Sequence, residues 1–203
     1  VKIMDNTQQK QDIRVYLGAL GGGKDFSAKP YIQKGYKHCA FADTLRDILW
    51  DILGYKPKNY EKFKLSDIRL GFLNKISTGR KLLQNLGSTL RKFIAEDVWV
   101  DILIKNIAFE SKVVITDCRF SNEVAKLLRY AEKAGSNITF IWCCYPSKKY
   151  QQGLKETHES EALAQFITQR YNFKNGDTIS IEQIKVILKD YKRFRLSKRG
   201  STL

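Results

Sequence analysis

Ile13-Arg-Val-Tyr-Leu17, followed by Gly18-Ala-Leu-Gly-Gly-Gly-Lys24-Asp25, is the stretch that decides the fold. The apolar, β-branched run reads as a strand. The residues directly after it spell G-x-x-x-x-G-K, up to the position where Ser or Thr ordinarily stands. Glycines at Gly18, Gly21, Gly22 and Gly23 let successive backbone N–H groups turn inward around a phosphate, and Lys24 reaches its outer oxygens. A helix beginning near Asp25 adds the positive end of its dipole. Asp25 replaces the hydroxyl that usually binds magnesium, which marks the loop as an unusual phosphate-binding loop. A glycine cluster alone is more often a flexible turn than a nucleotide site. The strand before it and the offset of Lys24 favour a nucleotide site.

Outward from this loop, strand and helix signals alternate, which predicts a parallel sheet with crossover helices. Strands are expected at Ile13 to Leu20, Lys37 to Ala42, Lys112 to Thr116 and Asn137 to Tyr145, with a weak fifth at Tyr171 to Phe173. Helical periodicity covers Thr44 to Leu53, Arg80 to Ile94, Asp97 to Phe109, Asn122 to Ala134 and Ile181 to Tyr191. Pro30 is expected to shorten or kink the first helix. Ser180 and Gln183 form the pattern of a capping box. The lysine-rich stretch from Gly54 to Thr78 has mixed signals and reads as a mobile cap.

A chain of 203 residues with 43% hydrophobic content suits one α/β domain with a small insert. It shows no apolar run of membrane-spanning length and no secretory signal, so a cytoplasmic setting is expected. The first dozen residues are polar and read as a loose arm. Cys39, Cys118, Cys143 and Cys144 fall in strand-like segments without metal-ligand spacing and read as buried thiols. The formal charge of +15 favours polyanionic partners. Part of it lies in the tail, residues 192–203 with Lys189 just before, where a solvated segment is expected over a nucleic-acid contact.

Further constellations carry chemistry. Asp117 ends the third expected strand, where ligands bind in open α/β sheets, and suits Mg²⁺ directly or through water. Arg119 presents a planar fork to a second phosphate. Asn122 and Glu123 suit a helix start, the structural alternative for this strand end. On a helix, Arg80, Gln84, Gly87 and Arg91 share a face, offering a cation, an amide and a close-approach glycine. Read alone, that face is an ordinary amphipathic surface. Trp99 stacks on a base in one reading and sits in the core in the other. The basic segment with Lys148, Lys149 and Lys155 reads as a lid over residues 146–158, or as a solvated loop.

Taken in order, these segments resemble the phage-type deoxynucleoside monophosphate kinases. The likeness rests on Gly23-Lys24-Asp25, Phe41-Ala-Asp43-Thr-Leu45, Arg80-x-Leu-Leu-Gln84-x-Leu-Gly87-Ser88, Asp97-x-Trp99-Val100, Asp117-x-Arg119-Phe-x-Asn122-Glu123 and His158-x-Ser160-Glu161. It implies a single P-loop kinase domain over 1–203: a parallel sheet of about five strands flanked by helices, a helical monophosphate-binding insert near 54–110 and a short lid. It also implies ATP as donor, a dNMP as acceptor and Mg²⁺. Gly18, Gly21 to Gly23, Lys24, Asp25 and Phe26 would hold ATP, and Asp25 and Asp117 the metal and its waters. Asp43, Arg80, Lys81, Gln84, Gly87, Ser88, Trp99, Arg119 and Glu123 would serve the monophosphate, with Lys24, Asp25, Asp117 and Arg119 catalytic. Relatives of this kind often dimerise, so a homodimer is an expectation of the resemblance alone, as is a phage source acting in host cytoplasm.

Three positions depart from that pattern: Gly22 stands where Ser is usual, Phe26 where Thr is usual, and Ser88 where Thr is common. Two other functions compete. Phosphomevalonate kinases of the animal type share Gly-Lys-Asp-Phe but lack the Phe-x-Asn-Glu extension. A P-loop nucleic-acid binder is suggested by charge alone.

Overall fold

The computed structural model describes residues 10–70 and 75–200. Most of the expected polar arm therefore lies outside the described residues. Along the chain the elements are β1 (Asp12–Leu17), α1 (Lys24–Gln33), β2 (Lys37–Cys39), α2 (Phe41–Leu53), α3 (Tyr60–Leu65), β3 (Asp67–Leu70), β4 (Lys75–Thr78) and α4 (Gly79–Phe93). They continue with α5 (Val98–Ile107), β5 (Lys112–Ile115), α6 (Ser121–Ala134), β6 (Asn137–Trp142), α7 (Lys148–Gly153), a 3-10 turn at Glu159–Glu161, α8 (Ala162–Arg170), β7 (Thr178–Ile179) and α9 (Ile181–Gly200). Contacts divide the chain into two compact units, Val1–Ala40 with Ile104–Leu203, and Phe41–Leu103.

The first unit is an α/β layer structure around a five-stranded sheet in the order β2-β5-β1-β6-β7. Ile13, Val15, Val113, Val114, Ile115 and Phe140 are fully buried, as strands covered on both faces require. β1 lies parallel to β5 and β6, with Val15 opposite Ile115 and Leu17 opposite Trp142. Val124, Leu127, Leu128 and Ala131 of α6 recur at helical spacing and are buried. In α9, Ile184, Ile187 and Tyr191 do the same. Ser180 and Gln183 exchange the two hydrogen bonds of the expected capping box, at 3.1 and 2.8 Å.

The fifth strand differs from expectation. Tyr171 to Phe173 joins no ladder; β7 takes that place and runs antiparallel to β6. The Tyr-x-Phe alternation instead stacks the two rings on each other at 5.7 Å, with Phe173 against Trp142 and Tyr171 against Phe166. A turn in which Asp177 accepts from the Lys174 amide then returns the chain to the sheet. The sheet is thus mostly parallel. Pro30 does not end α1, which continues to Gln33. α2 takes Phe41 and Ala42, which leaves β2 a three-residue edge strand. α9 passes Tyr191 and carries the basic tail as helix as far as Gly200.

The second unit packs Leu49, Trp50, Phe63 and Leu83 into its own core, with Trp50 edge-on to Phe63 at 4.8 Å. The stretch expected as a mobile cap contains α3 and the antiparallel β3–β4 pair, with 71–74 outside the described residues.

Candidate functional site

Three neighbouring parallel strands, β5, β1 and β6, release their carboxyl ends on one edge of the first unit, the edge where open α/β sheets bind ligands. The segment after β1 is the glycine-rich turn leading into α1. Its backbone lies close against β6. A Cβ on Gly18, whose φ is +141°, would stand 2.1 Å from the Cys143 carbonyl oxygen. A Cβ on Gly22 would stand 2.5 Å from the same oxygen, so this turn has no room for the serine of the resembled family without shifting. After β6 the chain stays on the turn: Ser147 Oγ donates to the Gly21 carbonyl at 3.0 Å and the Tyr145 amide to that of Gly22 at 3.2 Å.

Lys24 is 7% exposed, and its ammonium donates to the carbonyls of Gly18 at 2.6 Å and Ala19 at 2.9 Å. Burial, reinforced by the Arg119 guanidinium, brings its pKa down from 10.5 to about 8, with Glu161 and Asp25 pulling the other way. The Ser27 amide donates to the Gly23 carbonyl at 2.9 Å, and the amides of Lys24, Asp25 and Phe26 before it have no partner four residues back within the helix.

Arg119 lies just beyond β5. Its guanidinium pairs with Oε1 of Glu161, which is 3% exposed, while Oε2 of Glu161 accepts the Leu20 amide at 2.8 Å. One buried carboxylate therefore joins the glycine-rich turn to Arg119. Glu161 is prepared in turn by Ser160, whose Oγ lies 3.4 Å from Oε1 and 2.9 Å from His158 Nδ1. The His158-x-Ser160-Glu161 motif was visible in the sequence, but no spacing announced its partners. Glu123, expected beside the monophosphate, is 1% exposed, and its Oε2 accepts the amides of Arg119 and Phe120 at 2.9 and 3.1 Å. It shapes the backbone that carries Arg119 and caps α6.

Asp25 is exposed in the first turn of α1 and Asp117 is half-buried after β5. Both were expected at a metal; among the described residues no group of three His, Cys, Asp or Glu side chains gathers. Phe26 is exposed in the same turn as Asp25. Lys148 and Lys149 of α7 and Lys155 beyond it are exposed, while Tyr150 anchors α7 in the interior.

The remaining expected residues belong to the second unit. Arg80, Gln84 and Ser88 lie half-buried on α4, and Lys81 is exposed. Asp43 pairs with Arg46 on α2. Trp99 is 3% exposed and its indole N–H donates to the Gly87 carbonyl at 3.2 Å. A Cβ on Gly87 would meet Leu45 at 3.3 Å. In this arrangement Trp99 and Gly87 pack against protein, as the core reading of Trp99 has it.

No family model matches the chain, and no curated protein matches it. Among solved structures it is similar to a chain in the structure of the Pnkp1/Rnl/Hen1 RNA repair complex, at 12% identity and a TM-score of 0.35. The match covers 95% of this chain and 48% of that one, so the chain spans about half the length of the protein it matches.

Proposed function

We propose that this chain is a phosphate-binding-loop kinase that transfers the γ-phosphoryl group of ATP to a deoxynucleoside 5′-monophosphate, giving the diphosphate and ADP. One observation carries the phosphate half of the reading. A buried lysine, donating to the Gly18 and Ala19 carbonyls and sharing its surroundings with Arg119, has a depressed proton affinity in a glycine-rich turn. Such a centre is relieved by an anion. The deoxynucleotide half rests on the collinear residue pattern, chiefly Gly23-Lys24-Asp25 and Asp117-x-Arg119-Phe-x-Asn122-Glu123.

In this reading the turn amides and Lys24 bind the donor phosphates, and Arg119, oriented by Glu161, meets charge on the transferred group. Asp25 and Asp117 would hold Mg²⁺, directly or through water; two hard carboxylates suit an ion that completes its shell with water and phosphate oxygens. When bound, that ion neutralises phosphate charge. Arg80 and Lys81 would take the acceptor phosphate and Gln84 a base edge, with Asp43 and Ser88 supporting them. Lys148, Lys149 and Lys155 would add cations from the lid side. The acceptor oxygen is already anionic, so positioning and charge neutralisation suffice without a nucleophilic side chain.

ADP release, coupled to an optical readout, tests the proposal with each common dNMP and with phosphomevalonate as the competing acceptor. Turnover with at least one dNMP is expected; turnover with none overturns the reading. Lys24→Ala should lower the rate on the order of a hundredfold or more while far-UV circular dichroism stays unchanged.

A further inference from the structure

Past Tyr191, α9 continues as helix to Gly200, and its far half lines a groove of about 340 Å³ with α8. The floor is aromatic: Phe166 is buried, and Phe194 is half-buried with its ring 5.2 Å from that of Phe166. Gln165 and Gln169 supply amides on the α8 side, and Arg195 and Lys198 supply cations on the α9 side. Lys198 Nζ stands 4.7 Å from the Phe194 ring centroid. Among the described residues no acidic side chain lines the groove. Asp190, the nearby acid of α9, accepts from the Tyr171 hydroxyl at 3.1 Å and faces Arg193 at 3.9 Å.

We propose that this groove binds single-stranded nucleic acid. Its chemistry asks for a ligand that is planar, carries hydrogen-bonding edges and is anionic, which describes a nucleotide unit. Lys192 and Lys189, exposed at three-residue steps before Arg195 and Lys198, carry the cations onward around α9, each step turning about 60° away from the groove. Cations that continue past the groove around the helix fit a backbone of successive phosphates better than one nucleotide. An aromatic floor needs unstacked bases, which favours a single strand over a duplex. An acidic peptide would use the cations and leave the ring without a role. The proposal is independent of the kinase reading, because none of these residues belongs to the phosphate site.

Fluorescence anisotropy with the full chain tests it, using labelled oligothymidylate and oligouridylate of about a dozen nucleotides. Both strands are expected to bind, weakening steeply between about 50 and about 200 mM salt. Arg195→Gln with Lys198→Gln should reduce the salt slope by about two. Phe194→Leu preserves an apolar side chain against Phe166 and removes the stacking face. It should weaken binding roughly tenfold while leaving the salt slope unchanged. Phosphoryl transfer, measured in parallel, should be the same in these variants as in the parent. Undiminished binding by Phe194→Leu, equal affinity for a duplex, or equal competition by polyglutamate of matched charge would each overturn the proposal.

Discussion

Lys24 concentrates the electrostatics of the candidate site. Its pKa of about 8 in the folded chain, against 10.5 ordinarily, means that the unfolded chain binds the extra proton between those values. Folding stability contributed by this residue therefore rises with pH across that window, by about 3 kcal/mol in all. In Lys24→Met the contribution is absent. Urea unfolding of both proteins at intervals from about pH 7 to about pH 10.5 should show the parent gaining on the variant by that order. A constant difference would mean that Lys24 is not buried as a charged group. Glu161 is the second decisive residue. Glu161→Gln retains an oxygen for the Leu20 amide but loses the charge that holds Arg119, so kcat with a dNMP should fall about tenfold or more with little change in stability. Glu161→Ala additionally leaves a buried amide unpaired and should cost about 1–3 kcal/mol by urea unfolding. Unchanged kinetics in Glu161→Gln would remove it from the site.

Among the elements, the junction of β5 and α6 shows how one side chain serves a helix and a site together. Glu123 accepts the two amides that precede α6, which closes the helix start and sets the backbone of Arg119. Glu123→Ala should destabilise the chain by about 1–2 kcal/mol, the usual worth of a lost cap, and lower turnover as well. Chemical denaturation and steady-state kinetics measure the two effects; Glu123→Gln, which retains an acceptor, should restore much of both. The turn after β1 is governed by the same closeness. Gly18 and Gly22 lie where any side chain would meet the Cys143 carbonyl, so the turn's path is set by β6 as much as by its own sequence.

At the scale of the whole molecule, the Phe41–Leu103 unit is one continuous segment inserted between the two parts of the sheet-bearing unit. Each carries its own apolar cluster, Tyr16, Ala28, Val114 and Ile141 in one, and Leu49, Trp50, Phe63 and Leu83 in the other. Trp50→Ala should cost about 3–5 kcal/mol. Hydrogen exchange should place that loss chiefly in the amides of 41–103, with the β1 and β5 amides retaining their protection. Equal loss in both would show that the two units open as one. No helix among the described residues is long and apolar enough to cross a membrane.

What the amino-acid sequence determined by itself is what covalent neighbours can encode. Apolar runs, β-branched in β1, β5 and β6, made the four longer strands of the sheet readable, and helical periodicity located α4 and α6 to within one residue at each end. The glycine spacing before Lys24 announced the tight turn between β1 and α1, and the Ser180–Gln183 box was legible because both partners lie within one helical turn. Tertiary structure decided what depends on distant partners. Glu161 meets an amide 141 residues away and a guanidinium 42 residues away, so no local pattern names its role. The Trp99 indole donates to the Gly87 carbonyl on another helix, a contact that spacing does not name. The aromatic pair at Tyr171 and Phe173 imitates strand alternation because two-residue spacing also stacks rings, and only the place left beside β6 gave the fifth position to Thr178–Ile179.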